Sequence, residues 1–241
     1  MRLAIVSDIH GNLTAFEAVL ADLKTTAPDL ILHGGDLAEG GPHPCEIVDR
    51  IRELGWQGVV GNTDEMLFRP ESLTEFAAKA PKLAPMLAAI EEMGAAAKAA
   101  LGPQRLAWLA NLPQSLVHAP VALVHASPGN LWRAPMPDAP DAELASTYSP
   151  LGQPVAVHGH IHQPYVRRVG GMTVANSGSV SLSYDGDTRA SYLLVDGTTA
   201  SIRRVEYDVE KEIRACFDSG MPHADWVARI LRSGRPQPPK L

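Results

Sequence analysis

The sequence predicts an α/β domain organised around a largely parallel sheet, and three observations carry that expectation. Short apolar runs recur along the chain, each ending in a small cluster of polar residues. Segments with apolar residues at helical spacing lie between several of these runs. The 241 residues, 45% hydrophobic and 20% charged, supply enough apolar material for one large core and argue against a disordered or collagen-like chain.

Residues 3–6 open the series and run into Ser7-Asp8-Ile9-His10. Being apolar at consecutive positions, they have the pattern of a strand covered on both faces. A helix follows through Leu13, Phe16, Leu20 and Leu23, behind a capping box from Thr14 to Glu17. Residues 30–32 form the second run and end in His33-Gly34-Gly35-Asp36. Ile47, Val48, Ile51 and Leu54 mark a second helix, which Pro44 opens and Gly55 closes. Residues 58–60 are the third run, ending in Gly61-Asn62-Thr63-Asp64. Alternating strands and helices of this kind imply parallel pairing with right-handed crossovers.

Residues 66–113 break that rhythm, being rich in Ala, Leu, Glu and Lys with no strand signal. Two or three helices are expected there, one of them over 104–111, forming a helical cap inserted between the third and fourth strands. The fourth strand is 121–124, which runs into His125. Residues 126–153 carry five prolines and little periodicity, so a long loop is expected. Residues 155–157 lead into His158-Gly159-His160-Ile161-His162, and 172–175 lead into Asn176-Ser177-Gly178-Ser179. A hairpin is expected over 191–195 and 200–207 about the turn Asp196-Gly197, with helices at 210–217 and 224–231. The tail, 232–241, is Pro-rich and basic and is expected to be disordered. The chain as a whole, 1–241, is expected to be a single domain.

Charge and cysteine content narrow the function. Lys and Arg total 21 against 27 Asp and Glu, a net charge of −6, so the general attraction that drives most nucleic-acid binding is missing. A nucleic-acid polymer is therefore not an expected partner. Cys45 and Cys216 are too few and too far apart for a disulfide framework or a Cys-x-x-Cys zinc site, which suits a reducing cytoplasm. The apolar start is ended by Asp8, too soon for a secretory leader, and the most apolar long stretch contains Pro85, Glu91, Glu92 and Lys98. A cytoplasmic protein with no membrane association is the expectation. Oligomeric state is not legible.

Ligands of open α/β sheets bind beyond the carboxyl ends of the strands, and the polar clusters fall there. Asp8, His10, Asp36, Asn62, His125, His160 and His162 are the side chains collected. Seven nitrogen and oxygen donors exceed what one tetrahedral zinc can use and suit two octahedral ions that share a bridge, for which Asp36 is the natural choice. Two divalent ions bring about four positive charges; Asp8, Asp36 and a bridging hydroxide remove three, leaving a site that attracts phosphate. A hydroxide shared by ions about 3.5–4 Å apart is a nucleophile at neutral pH and can attack phosphorus in line. Mixed N/O donors accept Mn, Fe, Co, Ni or Zn. The chain has no Gly-x-Ser-x-Gly elbow, no Walker loop and no Gly-x-Gly-x-x-Gly.

Asp8-Ile9-His10, Gly35-Asp36, Gly61-Asn62-Thr63-Asp64, His125 and Gly159-His160-Ile161-His162, in this order, resemble the calcineurin-like metallophosphoesterases, and most of all their small bacterial phosphodiesterase branch. The resemblance continues through Asn176-Ser177-Gly178-Ser179-Val180 and Val205-Glu206-Tyr207-Asp208 and omits the cap. It implies a four-layer α/β/β/α sandwich. It also implies one metal on Asp8, His10, Asp36 and His162, a second on Asp36, Asn62, His125 and His160, and catalysis centred on Asp36, Asn62 and His125. The activity implied is hydrolysis of a small-molecule phosphodiester or phosphomonoester. Protein phosphatase and dinucleoside polyphosphate hydrolase are the alternatives within enzymes, and a binding scaffold on the same fold is the alternative outside them.

One departure bears on mechanism. Many relatives carry His after Gly-Asn, where Thr63 stands here, so protonation of the leaving group is left unassigned and the reading shifts toward diesters. Candidate substrate contacts are Thr63, Asn12, which could instead cap the first helix, and His33, which could instead be a satisfied histidine at a strand end. His43 is read as a capping residue, His158 as a core or supporting residue, and His118 and His223 as surface residues. Trp56, Trp108, Trp132 and Trp226 are read as packing, with Trp132 in the Pro-rich segment the most open.

Overall fold

The structure, a computed structural model, describes residues 1–239. Its strands are β1 (Arg2–Val6), β2 (Leu30–His33), β3 (Gln57–Gly58), β4 (Ser115–His118), β5 (Val121–Val124), β6 (Val155–His158), β7 (Tyr165–Val169), β8 (Met172–Asn176), β9 (Ala190–Asp196) and β10 (Thr199–Val205). The helices are α1 (Leu13–Thr26), α2 (Pro44–Leu54), α3 (Asn62–Phe68), α4 (Glu71–Lys79), α5 (Ala84–Ala110), α6 (Asp141–Tyr148), α7 (Val209–Asp218) and α8 (Ala224–Ser233).

Two five-stranded sheets result, ordered β10-β9-β1-β2-β3 and β4-β5-β6-β8-β7. Strands β1, β2 and β3 run parallel, as do β5, β6 and β8, whereas β9, β10, β4 and β7 join antiparallel. The alternation of β1 shows how four layers arise from one run of apolar residues. Leu3 and Ile5 point to the second sheet and pack with Leu123, Val155, Val157 and Ala175, whereas Ala4 and Val6 point outward to Phe16, Val19 and Ile47 of α1 and α2. Val124, Ala156 and Val174 cover the far face of the second sheet beneath Leu144 and Tyr148 of α6. The fold is the α/β/β/α sandwich, with two mixed sheets between helical layers.

The local signals act with two differences. Helix α2 begins at Pro44 and ends at Gly55, whose φ of 66° suits the left-handed cap glycine adopts freely. Helix α1 is capped two residues earlier than the capping box predicts. Asn12 Oδ1 accepts from the Ala15 amide at 2.8 Å, and Thr14 already lies inside the first turn. The segment at 66–113 contains the end of α3, then α4 and α5, and α5 is broken at Gly102 (φ 68°, ψ 172°) just ahead of Pro103.

Three expectations are corrected. The Pro-rich stretch at 126–153 is not a loop throughout, because α6 forms within it: Asp141 and Glu143 favour its first turn, and Leu144 and Tyr148 are buried one turn apart. Strands β4 and β7 were not expected; they are edge strands, short and partly exposed, and β7 carries Arg167 and Arg168. The tail is held as far as Pro238, since Trp226 Nε1 donates to the Gln237 carbonyl at 2.7 Å and Arg229 to the Pro238 carbonyl at 3.0 Å. Residues 240 and 241 of the expected disordered tail lie outside the described residues. Among the described residues no helix is long and apolar enough to cross a membrane.

Leu144 is fully buried in the outer layer that α6 provides. Leu144→Ala is expected to destabilise the protein by about 2–5 kcal/mol, read as a lower urea midpoint with an unchanged slope. A change below about 0.5 kcal/mol would mean that α6 is not part of the core.

Candidate metal centre

The parallel register brings the strand ends together. Val6 pairs with His33, so the turns beyond them set Asp8 and Asp36 side by side. Leu123 pairs with Val157, which aligns His125 with the Gly159 turn, and the Gly159 amide donates to the His125 carbonyl at 2.9 Å. Asn62 begins α3 just after the third strand. All seven predicted donors therefore meet where the two sheets end, and all are buried except the half-buried His160.

They form two groups with Asp36 between them. His10 Nε2 lies 3.2 Å from His162 Nε2 and 3.7 Å from Asp36 Oδ2, and His162 Nε2 is 3.1 Å from Asp8 Oδ1. On the other side His125 Nε2 is 3.4 Å from Asp36 Oδ2 and 2.9 Å from Asn62 Oδ1, which is also 2.8 Å from His160 Nδ1. Donor atoms of Asp8, His10, Asp36 and His162 all lie within 4.8 Å of one another.

Backbone carbonyls orient three of the rings. The Nδ1 atoms of His10, His162 and His125 lie 2.6, 2.6 and 2.8 Å from the carbonyls of Glu39, Leu182 and Gly34. Donation of each Nδ1–H outward leaves the Nε2 lone pair facing inward, the tautomer a metal ligand requires.

The backbone is strained at the same place. Asp8, His10, Asp36, His160 and His162 all have positive φ, between 48° and 69°. Such conformations cost of order 1–3 kcal/mol each away from glycine and persist only where the surroundings over-determine them. Asp64 supplies much of that restraint: its carboxylate accepts from the Asp36, Leu37 and Gly61 amides at 2.8, 2.9 and 3.2 Å. Asp8 accepts from the Ser7 hydroxyl at 2.6 Å and from the His160 amide at 3.1 Å. A Cβ at Gly61 would collide with Asp36 Oδ1, and one at Gly159 with Asp8 Oδ2, so glycine is required at both turns.

Burial and mutual charge set the protonation states. Burial alone would raise Asp36, but His125 and His10 beside it hold its carboxyl far below the usual carboxylate range. The reciprocal effect appears on His125: burial disfavours its charge, yet the Asp36 carboxylate outweighs this and raises it to about 9. His160 falls to about 4 through burial and then the charge on His125. Two carboxylates, an amide oxygen and four imidazoles, most of them pre-oriented, are a donor set suited to divalent transition metals.

Comparison with known proteins identifies a family. A family model described as the calcineurin-like phosphoesterase superfamily domain matches residues 1–200. The chain belongs to that superfamily. It is 30% identical over 260 residues to the uncharacterized protein MJ0912 of Methanocaldococcus jannaschii, covering 97% of this chain and 98% of that protein. A metallophosphoesterase from Sphaerobacter thermophilus superposes with a TM-score of 0.79 at 26% identity, covering 97% of this chain and all of that one. The hypothetical protein PH1004 of Pyrococcus horikoshii shares the fold, with a TM-score of 0.83 at 19% identity over 98% of this chain and 99% of that one.

In this member of the superfamily the donors open onto a cavity of about 270 Å³. Asp36, Asn62, Thr63, His10, His160 and His162 line it, whereas Asp8 and His125 lie behind them with no exposed surface. Of the three expected substrate contacts only Thr63 reaches the cavity, and its buried hydroxyl has no hydrogen-bond partner. Asn12 is corrected to a structural role, since its amide caps α1 at one end and donates to Ser181 Oγ at 3.2 Å at the other. His33 is corrected as well: it is fully buried beside the Trp108 ring, outside the cavity, and burial lowers it to about 3.

His158 packs between Tyr148 and Tyr165, with Nε2 2.8 Å from the Tyr165 hydroxyl, and supports the strand end from behind. Glu39 and Tyr184 escaped sequence reasoning. The first lines the cavity and its carbonyl faces His10; the second stacks on His162 with ring centroids 4.6 Å apart. Glu39 lies three positions after Asp36 in the chain, and Tyr184 four after the Asn176–Val180 motif, with no other signal for either.

His125 is protonated at neutral pH in the metal-free protein, its value being raised above the ordinary 6.5, and it must be neutral to ligate. Metal loading near neutral pH is therefore expected to release protons. Calorimetric titration in buffers of different ionisation enthalpy checks this, because a binding enthalpy independent of the buffer would contradict it.

Proposed function

We propose that the protein is a dinuclear metal-dependent phosphoesterase that hydrolyses a small-molecule phosphodiester, or a phosphomonoester with an acidic leaving group. One observation supports the reading: at the wall of a cavity of about 270 Å³, Asp36 stands between the His10, His162 and Asp8 donors on one side and the His125, Asn62 and His160 donors on the other. Asp8, His10, Asp36 and His162 would hold one ion, and Asp36, Asn62, His125 and His160 the other. Bound there, divalent ions supply positive charge for the phosphoryl oxygens and make an intervening water acidic enough to act as a nucleophile.

The protein's own groups set up that chemistry. Asp36 Oδ1 is anchored by the Thr63 amide at 2.9 Å, which fixes the carboxylate plane and leaves Oδ2 between the His10 and His125 rings. Thr63 lines the cavity and its buried hydroxyl has no partner in the protein, which leaves it free to donate to a phosphoryl oxygen. A threonine cannot act as a general acid, so the departing oxygen leaves without a proton from this position. Good leaving groups are accordingly favoured. A cavity of about 270 Å³ supports a small molecule over a protein substrate.

Two measurements test this reading. Metal analysis is expected to give two ions per chain, and Asp36→Asn should remove most activity while retaining the native circular dichroism; one ion or none in active protein overturns the dinuclear assignment. Rates should fall steeply from bis(p-nitrophenyl) phosphate and p-nitrophenyl phosphate to an alkyl phosphate, since a missing general acid costs about 10²–10⁴-fold with poor leaving groups. Thr63→His should flatten that dependence. Alkyl and aryl monoesters cleaved equally fast by the wild type would show that an acid is present.

A further inference from the structure

Opposite the donors, the cavity is walled by apolar side chains. Phe76 of α4 stacks on Trp132 with ring centroids 5.0 Å apart and planes 27° from parallel, and the Trp132 indole donates to Glu65 at 2.9 Å. Met86 and Ile90 of α5 and Trp226 and Ile230 of α8 continue the wall. Twelve of the twenty lining residues are apolar or aromatic, and neither Lys nor Arg is among them. Arg69, Lys79 and Arg133 line a neighbouring cleft that shares only Phe76 and Trp132 with this one, and there Arg69 is engaged by Glu65 and Glu75.

A phosphoester bound with its phosphorus at the donors must place its other substituent against this wall. An apolar group gains about 0.8 kcal/mol for each buried CH₂, close to fourfold in affinity. A further phosphate would be desolvated there with no cation to meet it, which is strongly unfavourable. We propose that the substrate is a phosphoester whose retained substituent is uncharged and apolar, an aryl or branched alkyl group, seated between the Phe76–Trp132 pair and the Met86 and Ile90 side chains. Polyphosphate substrates, including dinucleoside polyphosphates, are thereby disfavoured. The inference rests on the phosphoesterase reading above and assigns recognition to residues that ligate nothing.

The test varies only the retained group. p-Nitrophenyl phosphodiesters with methyl, phenyl and phosphorylated alkyl second substituents share one leaving group, and kcat/KM is expected to rise at least tenfold from methyl to phenyl and to fall below the methyl value for the phosphorylated compound. Met86→Lys is expected to abolish the phenyl-over-methyl advantage, and Phe76→Ala to reduce it. Binding is read separately from turnover by quenching of Trp132 and Trp226 fluorescence with phenylphosphonate against methylphosphonate on the metal-loaded protein, where the phenyl compound should bind at least tenfold tighter. Equal constants for the two phosphonates, or a preference for the phosphorylated diester, overturn the proposal. Hydrolysis of none of the diesters together with a retained phenyl preference in binding would count against the phosphoesterase reading and leave the apolar subsite standing.

Discussion

Everything at the centre depends on a buried carboxylate placed among imidazoles. Asp36 has almost no contact with solvent, and its charge is sustained by His125 and His10 on either side and by the Thr63 amide. A charge so placed is costly without partners, so the surrounding groups cannot be rearranged independently. Asp64 fixes the backbone on which Asp36 rides, and the glycine at 61 leaves room for the carboxylate. The left-handed conformations at Asp8, His10, Asp36, His160 and His162 are maintained by the same restraints. The sheets hold these turns together, and the site concentrates strain that the cores absorb.

Much of this was legible because buried parallel strands and polar turns write distinct signatures. Three or four apolar residues in a row leading into Asp-x-His or His-x-His mark both the strand and the side chains at its end, as residues 3–10 and 155–162 illustrate. The seven donors followed from those signatures together with the order of the clusters along the chain. What the pattern did not carry was whatever depends on tertiary context. Edge strands β4 and β7 have little apolar alternation because half of each faces water, and α6 sits among prolines that usually signal loops.

Side-chain direction was the other illegible quantity. Asn12 and His33 both flank ligand turns, and spacing alone could equally have aimed them at a substrate. Asn12 is drawn to the free amides of the α1 N-terminus, while His33 is turned behind the strand end to Trp108. The Phe76–Trp132 pair joins residues more than fifty positions apart, and no local periodicity records such a meeting. Donor identity was thus fixed locally, whereas the shape of the cavity was fixed by packing between distant segments.

The C-terminal helix gives this division a further meaning. The match to the superfamily domain ends at residue 200, and every donor lies before it, yet Trp226, Val227 and Ile230 of α8 form part of the cavity wall and pack on Ala89 and Met93 of α5. Part of the cavity wall therefore comes from beyond the matched domain, although Phe76, Met86, Ile90 and Trp132 come from within it. Substitutions in α8 can reshape that part of the cavity without touching a donor or a strained turn, so its outline can vary while the buried cluster is inherited intact.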